Sequence, residues 1–178
     1  MRILVTGKNG QLGRSIQKIV NTDTKIDNNQ SSNEFIFVGR EELDLSSESG
    51  ISHYFDNNDK FDIIINCAAY TQVDKAEQEV ELANQINHLA VKQLASIASK
   101  QQARLIHIST DYIFDGESNK PYKETDKTNP INVYGKTKLA GEKALQEIMP
   151  TDAIIIRTSW VYLTLNMAYH FLHQIHNQ

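Results

Sequence analysis

The run Arg2-Ile3-Leu4-Val5-Thr6-Gly7-Lys8-Asn9-Gly10-Gln11-Leu12-Gly13 decides the reading of this chain. Its first half is a short apolar stretch of strand-forming residues, and its second half places glycine at 7, 10 and 13, where a strand gives way to a turn. Beyond the turn, Leu12, Ile16, Ile19 and Val20 recur at helical spacing. Strand, glycine-rich turn and helix in that order make a cradle for a pyrophosphate. Glycine permits positive φ and close backbone approach, and the helix N-terminus presents unpaired N–H groups to the anion. The last glycine lets the helix pack closely on the strand. A glycine triplet alone is often only a turn, and its place at the head of a βαβ pattern gives it weight.

Working outward, residues 21–33 are polar and Asn-rich and read as a solvated surface loop. Glu34-Phe35-Ile36-Phe37-Val38 is the next strand, ending at Gly39-Arg40. Ser46 or Ser47 caps a short helix running through Tyr54 and Phe55. Phe61 to Asn66 reads as a strand buried on both faces, because Ile63-Ile64-Ile65 shows no polar alternation. The longest helical signal runs from Asp74 to about Gln101, with Ala83, Ile86, Ala90, Leu94 and Ile97 at steps of three and four. Arg104 to Ser109 is a fourth strand, Asp111 to Pro130 an irregular connection, and Tyr134 to Ile148 a helix stopped by Pro150. Ala153 to Ile156 is a fifth strand, and Leu165 to Ile175 a final helix. Strands alternating with helices predict an α/β domain with a doubly wound parallel sheet.

The chain has 178 residues, enough for one domain with its own core. A net charge of −4 gives no field that favours nucleic acid or an anionic membrane surface. No apolar run approaches the ~18 residues of a membrane span, and the N-terminus lacks the pattern of a signal peptide. A cytoplasmic protein is expected. The single cysteine, Cys67, sits in an apolar run and reads as a small core residue.

Three further groups carry chemistry. After the second strand stands Gly39-Arg40-Glu41-Glu42. A base there suits the extra phosphate of NADPH and an acid suits ribose hydroxyls, so Arg40 points to NADPH, with NADH as the alternative. Tyr134 and Lys138 are four apart and share a helix face. A phenol with an ordinary pKa near ~10 serves as an acid–base catalyst only if its anion is stabilised, and an ammonium one turn away supplies that. Ser109-Thr110-Asp111 closes the fourth strand, where parallel sheets bind ligands, and the Thr110 hydroxyl is placed to hold a substrate carbonyl beside Tyr134. No metal-ligand spacing is present; His170, His173 and His176 read as a polar helix face.

Taken together with Asn66-Cys67-Ala68-Ala69-Tyr70-Thr71-Gln72-Val73-Asp74-Lys75-Ala76-Glu77, Ser109-Thr110-Asp111-Tyr112-Ile113-Phe114-Asp115-Gly116, Asn132-Val133-Tyr134-Gly135-Lys136-Thr137-Lys138 and Arg157-Thr158-Ser159-Trp160-Val161-Tyr162, these motifs resemble the extended short-chain dehydrogenases/reductases. Within them the resemblance is to the dTDP-4-dehydrorhamnose reductase family. It implies NAD(P)H-dependent reduction of the C4 ketone of a dTDP-sugar, in the synthesis of cell-surface polysaccharide. It implies Tyr134 as proton donor, Lys138 as the residue that lowers its pKa, and Thr110 as the orienting hydroxyl. Gly7, Asn9, Gly10, Gln11, Leu12 and Gly13 would line the pyrophosphate, Asp44 and Leu45 the adenine, and Ala68, Ala69 and Tyr70 the cofactor's length. Thr71, Val73, Asp74, Tyr112 and Trp160 would meet the sugar nucleotide, and Asn87 matches a fourth member of the wider catalytic set.

The resemblance runs through residue 162, so residues 1–162 are expected to form a Rossmann domain and 163–178 a divergent helical tail. The family's substrate-binding C-terminal lobe is expected to be largely missing. Apolar surface left uncovered then favours a homodimer or other self-association. The alternative reading is a non-catalytic NADP-binding regulatory or scaffold subunit, like the β subunit of methionine adenosyltransferase, which resembles the same family.

Overall fold

Alternating apolar residues in the strands build two cores, one on each side of a sheet. The computed structural model describes residues 1–22 and 33–159. Its strands are β1 (Arg2–Thr6), β2 (Glu34–Val38), β3 (Ile63–Asn66), β4 (Arg104–Thr110) and β5 (Ala153–Thr158). All neighbours pair in parallel, in the order β2-β1-β3-β4-β5. Side chains alternate between sheet faces. Ile3, Val5, Ile65 and Ile106 therefore meet Ile16 of α1 (Gln11–Thr22) on one side. On the other side Leu4, Ile64 and Leu105 pack among residues of α2 (Glu48–Asp56), α5 (Ala90–Gln101) and α6 (Val133–Ile148). Each fully buried Leu or Ile contributes about 1.5–3 kcal/mol, which makes these two layers the main stabilising term.

The expected doubly wound parallel sheet is present. The chain crosses in opposite directions from β1 to β2 and from β1 to β3, so a crevice opens at the C-terminal strand ends near this switch point. Ser47 caps α2, its hydroxyl accepting from Gly50 N at 3.0 Å. Asn132 caps α6 by accepting from Gly135 N at 2.7 Å, which starts that helix one residue before Tyr134.

The continuous helix expected over Asp74–Gln101 is a correction. That stretch holds α3 (Val73–Ala76), α4 (Val80–Asn84), a π-helical turn (Gln85–Leu89) and then α5. The spacing of the apolar residues cannot reveal the π turn, whose cause is tertiary: its wider coil carries Asn87 inward to the loop after β3. The loop expected from residue 21 starts later, because α1 runs through Thr22; residues 23–32, Trp160 and the tail helix expected over Leu165–Ile175 lie outside the described residues.

Candidate active site

A cleft of about 950 Å³ lies across the C-terminal strand ends. Its first wall is the turn after β1. Gly7 has φ +73°, and a Cβ there would stand 2.9 Å from Ala68 N and from the Cys67 carbonyl carbon. Gly10 N donates to Gly7 O at 2.9 Å, closing the turn. A Cβ at Gly13 would lie 2.3 Å from Gly7 O, so only glycine lets α1 start this close to the strand. Asn9, Gly10, Gln11 and Leu12 line the cleft, with the first turn of the 12-residue helix α1 facing it. Gly13 itself lies behind this wall.

The second wall follows β2. Arg40 is exposed and pairs with Asp44 at 3.3 Å. Burial works against the Asp44 charge, yet hydrogen bonds from Ser46 and Arg40 outweigh it and hold the carboxyl below its usual range. Glu42 is engaged: it accepts from Gly39 N at 2.8 Å and pairs with Lys8. The Lys8 hydrogen bond is the main reason its carboxyl sits below the usual range. Leu43 and Leu45 complete this side.

The third wall is the loop after β3, where Ala68, Ala69, Thr71 and Val73 line the cleft. Asn87 clamps it. The Asn87 Oδ1 accepts from Tyr70 N at 2.9 Å, and Nδ2 donates to Tyr70 O at 3.0 Å and to Thr137 Oγ1 of α6 at 3.3 Å. The Tyr70 side chain leaves the cleft, its hydroxyl donating to Glu79 Oε2 at 2.7 Å. Burial and Glu79 push that phenol up to about 12. Tyr70 thus holds the loop through its backbone, and neither it nor Asp74 lines the cleft.

At the fourth wall the end of β4 meets the first turns of α6. Thr110 caps a 3₁₀ turn over Asp111–Ile113, its hydroxyl accepting from Tyr112 N at 3.2 Å. Tyr134 stands over this turn, its ring edge-to-face with Tyr112 at 5.6 Å. Burial raises the Tyr134 hydroxyl above its ordinary value; a hydrogen bond with Thr110 works downward, and Asp111 and Tyr112 work upward. Lys138 is buried, and its Nζ donates to Ile108 O at 2.6 Å and meets His107 Nε2 at 3.2 Å. Burial lowers it to about 8, with Glu142 and Cys67 opposing. Burial is thus the largest influence on the Tyr134 hydroxyl, and the Lys138 Nζ is turned to β4.

The structure thus brings Gly7, Asn9, Gly10, Gln11, Leu12, Arg40, Asp44, Leu45, Ala68, Ala69, Thr71, Val73, Thr110, Tyr112, Tyr134 and Lys138 to one cleft. Sequence reasoning missed Leu43, Ile86, Ile108 and Thr158 in its lining. Cys67, read as a core residue, also touches it; burial pushes its thiol up to about 12, far from nucleophilic use. Among the described residues no three His, Cys, Asp or Glu side chains gather as metal ligands.

A parallel doubly wound sheet, a glycine turn into a helix and a Thr–Tyr–Lys group at one set of strand ends define a Rossmann-type protein with a candidate dinucleotide cleft. The chain belongs to the RmlD substrate binding domain family, whose model matches residues 1–177. It is 44% identical over 163 residues to the dTDP-4-dehydrorhamnose reductase of Salmonella typhimurium, covering 91% of this chain and 52% of that protein. The reductase of the same name from Mycolicibacterium smegmatis is 40% identical, with 90% and 46% covered. The chain therefore spans about half the length of the curated relatives it matches. Among solved structures, a dTDP-4-dehydrorhamnose reductase from Clostridium acetobutylicum superposes with a TM-score of 0.80 at 38% identity, covering 98% of this chain and 60% of that one. The Bacillus anthracis enzyme in complex with NADP gives 0.79 at 35% identity, with 90% and 54% covered.

Proposed function

We propose that this chain binds NADPH and carries the reducing half of a reductase acting on the C4 ketone of a dTDP-4-dehydro-6-deoxy sugar, dTDP-4-dehydro-L-rhamnose first among them. The observation that carries the reading is the meeting of Thr110, Tyr134 and Lys138 in the same cleft as the Gly7 turn. The names of the relatives and the NADP held by one of them point the same way.

The residues present fit the cofactor. The Gly7–Leu12 turn would hold its pyrophosphate at the start of α1, and glycine at 7 is what lets that turn close on the backbone of Cys67 and Ala68. Arg40 would meet the 2′-phosphate, because the neighbouring acid Glu42 is already held by Lys8 and Gly39 N. When bound, NADPH supplies the hydride that the ketone carbon takes up. Tyr134 gives its hydroxyl proton to the carbonyl oxygen, which Thr110 orients. The ammonium form of Lys138 offsets the negative charge left on Tyr134. Thr71, Val73 and Tyr112, which line the cleft, belong to the sugar-nucleotide side of this reading. A further part of the reading is self-association, which sedimentation at two protein concentrations tests. The non-catalytic alternative is favoured by no side chain in the cleft.

The test is NADPH oxidation by the purified chain with dTDP-4-dehydro-L-rhamnose, alongside the Salmonella enzyme. Turnover lost in Tyr134→Phe, with the NADPH-induced rise in melting temperature kept, supports the reading. No melting shift with NADPH overturns it.

A further inference from the structure

Behind the cleft four polar side chains stand in line from β1 through β3 and β4 to α6: Thr6, Asn66, His107 and Lys138, each at most 2% exposed. Ala68 N donates to Thr6 Oγ1 at 3.2 Å, and the Thr6 hydroxyl donates to Asn66 Oδ1 at 2.6 Å. Asn66 Nδ2 meets His107 Nδ1 at 3.1 Å, and His107 Nε2 meets Lys138 Nζ at 3.2 Å.

Counting protons fixes what this order requires. An amide nitrogen only donates, so His107 Nδ1 accepts, and the single proton of the neutral imidazole is on Nε2, aimed at Nζ. An ammonium has no lone pair to receive it, whereas an amine does. Lys138 is then the neutral amine, still donating to Ile108 O. In the reverse order the Asn66 amide is turned over, Nδ1–H donates to Asn66 Oδ1, and Nε2 accepts from the ammonium. That order leaves the Thr6 hydroxyl proton without its acceptor in the chain.

We propose that His107 is a positioning residue that sets the charge of Lys138 through this chain: one hydrogen-bond order holds the amine, the reverse order holds the ammonium, and they differ by one proton taken up from water and by the tautomer of His107. Thr6 precedes Gly7 and holds Ala68 N, so the line also ties the cofactor wall to the acid–base group. The groups facing Lys138 are Cys67 after β3, His107 on β4 and, on its own helix, Glu142, which Arg157 of β5 holds at 2.8 Å. Burial, and then the Lys138 charge, keep His107 far below the usual histidine range, so the imidazole stays neutral in both orders. The use of Lys138 in reduction rests on the proposed function; the proton count does not.

The experiment is NMR of the full chain without ligand, labelled with 15N in histidine and 13Cε in lysine, titrated from pH 6 to 11. Lys138 is assigned by its absence in Lys138→Arg, and His107 by its absence in His107→Gln. The expected result is an Nδ1–H tautomer at low pH that becomes Nε2–H with the same midpoint as the Lys138 carbon. A single tautomer throughout, or an imidazolium that titrates with Lys138, overturns the proposal; a merely structural histidine gives the single tautomer. In His107→Gln an amide carbonyl faces Nζ at no tautomer cost, and the Lys138 midpoint rises by one unit or more; an unchanged midpoint overturns the proposal. Should His107→Gln not fold, the wild-type tautomer decides alone, its resonance then taken as the histidine that does not become charged on acidification. Because no ligand is present, failure to bind NADPH counts against the proposed function only.

Discussion

Replacing Asn87 by alanine tests how the cleft is held. Asn87 is 1% exposed, so water does not replace the three hydrogen bonds it makes. The truncation leaves Tyr70 N without its partner and Tyr70 O without the Asn87 donor. Thr137 Oγ1 keeps its bond to Tyr134 O at 2.9 Å. An orphaned buried donor costs about 1–3 kcal/mol and the under-satisfied carbonyl somewhat less, so the loss is about 3 kcal/mol in all. Part of that energy is recovered by letting the loop over residues 67–71 move, which displaces Ala68 and Ala69 from the cleft. Urea unfolding of Asn87→Ala should therefore show a lower midpoint, and NADPH titration by fluorescence an affinity about tenfold weaker. Asn87→Asp keeps the acceptor for Tyr70 N but faces Tyr70 O and Thr137 Oγ1 with a carboxylate. The folded state then raises that carboxyl's pKa, so stability present at acid pH is lost as pH rises through the folded value. A destabilisation below about 1 kcal/mol together with unchanged NADPH affinity in Asn87→Ala would refute the clamp, since that is the typical worth of one ordinary hydrogen bond.

Other outcomes follow from the same geometry. Arg40→Ala should weaken NADPH about tenfold and leave NADH nearly unchanged, as a lost charge-assisted phosphate contact predicts; parallel titrations of the two cofactors check it. Glu142→Gln breaks a pair in which the carboxylate is fully buried against Arg157 and should cost about 3–5 kcal/mol in urea unfolding. The same change should move the Lys138 titration down, because Glu142 now opposes the lowering. For Lys138 the folded value, about 8, lies below the ordinary lysine range. Its contribution is full above the unfolded value and is lost as pH falls to about 8, so wild type should gain stability relative to Lys138→Met as pH rises through that window, read from melts at several pH values.

The sheet was legible because strand periodicity is local. Ile3 and Val5 against Leu4, and Ile65 against Ile64, announce two buried faces before any contact is known. The Gly7 turn was legible for the same reason, since positive φ and close approach are demands on single residues. The π turn was not, because Ala83, Ile86 and Ala90 keep helical steps while Asn87 answers to Tyr70, distant in sequence. Tyr70 is misleading in kind: its backbone belongs to the cleft wall and its side chain to Glu79. His107 lies in the apolar run Leu105-Ile106-His107-Ile108, and nothing local marks it as the partner of Lys138. A histidine inside an otherwise apolar strand is the one signal that would have singled it out.

The link from Asn87 to Thr137 has a meaning in time as well as in space. It joins positions 50 residues apart, so as the chain leaves the ribosome the glycine turn and the first three strands emerge well before the helix that completes the clamp. The earlier part of the chain carries the cradle and both bonds between Asn87 and Tyr70, but not the tie from Asn87 to Thr137. What arrives last, when residues 133–148 dock, is the link between the loop after β3 and the helix of Tyr134 and Lys138. A nascent chain stalled before that helix has its two cofactor-side walls without the acid–base side, whereas one extended past β5 has all three hydrogen bonds of Asn87 in place.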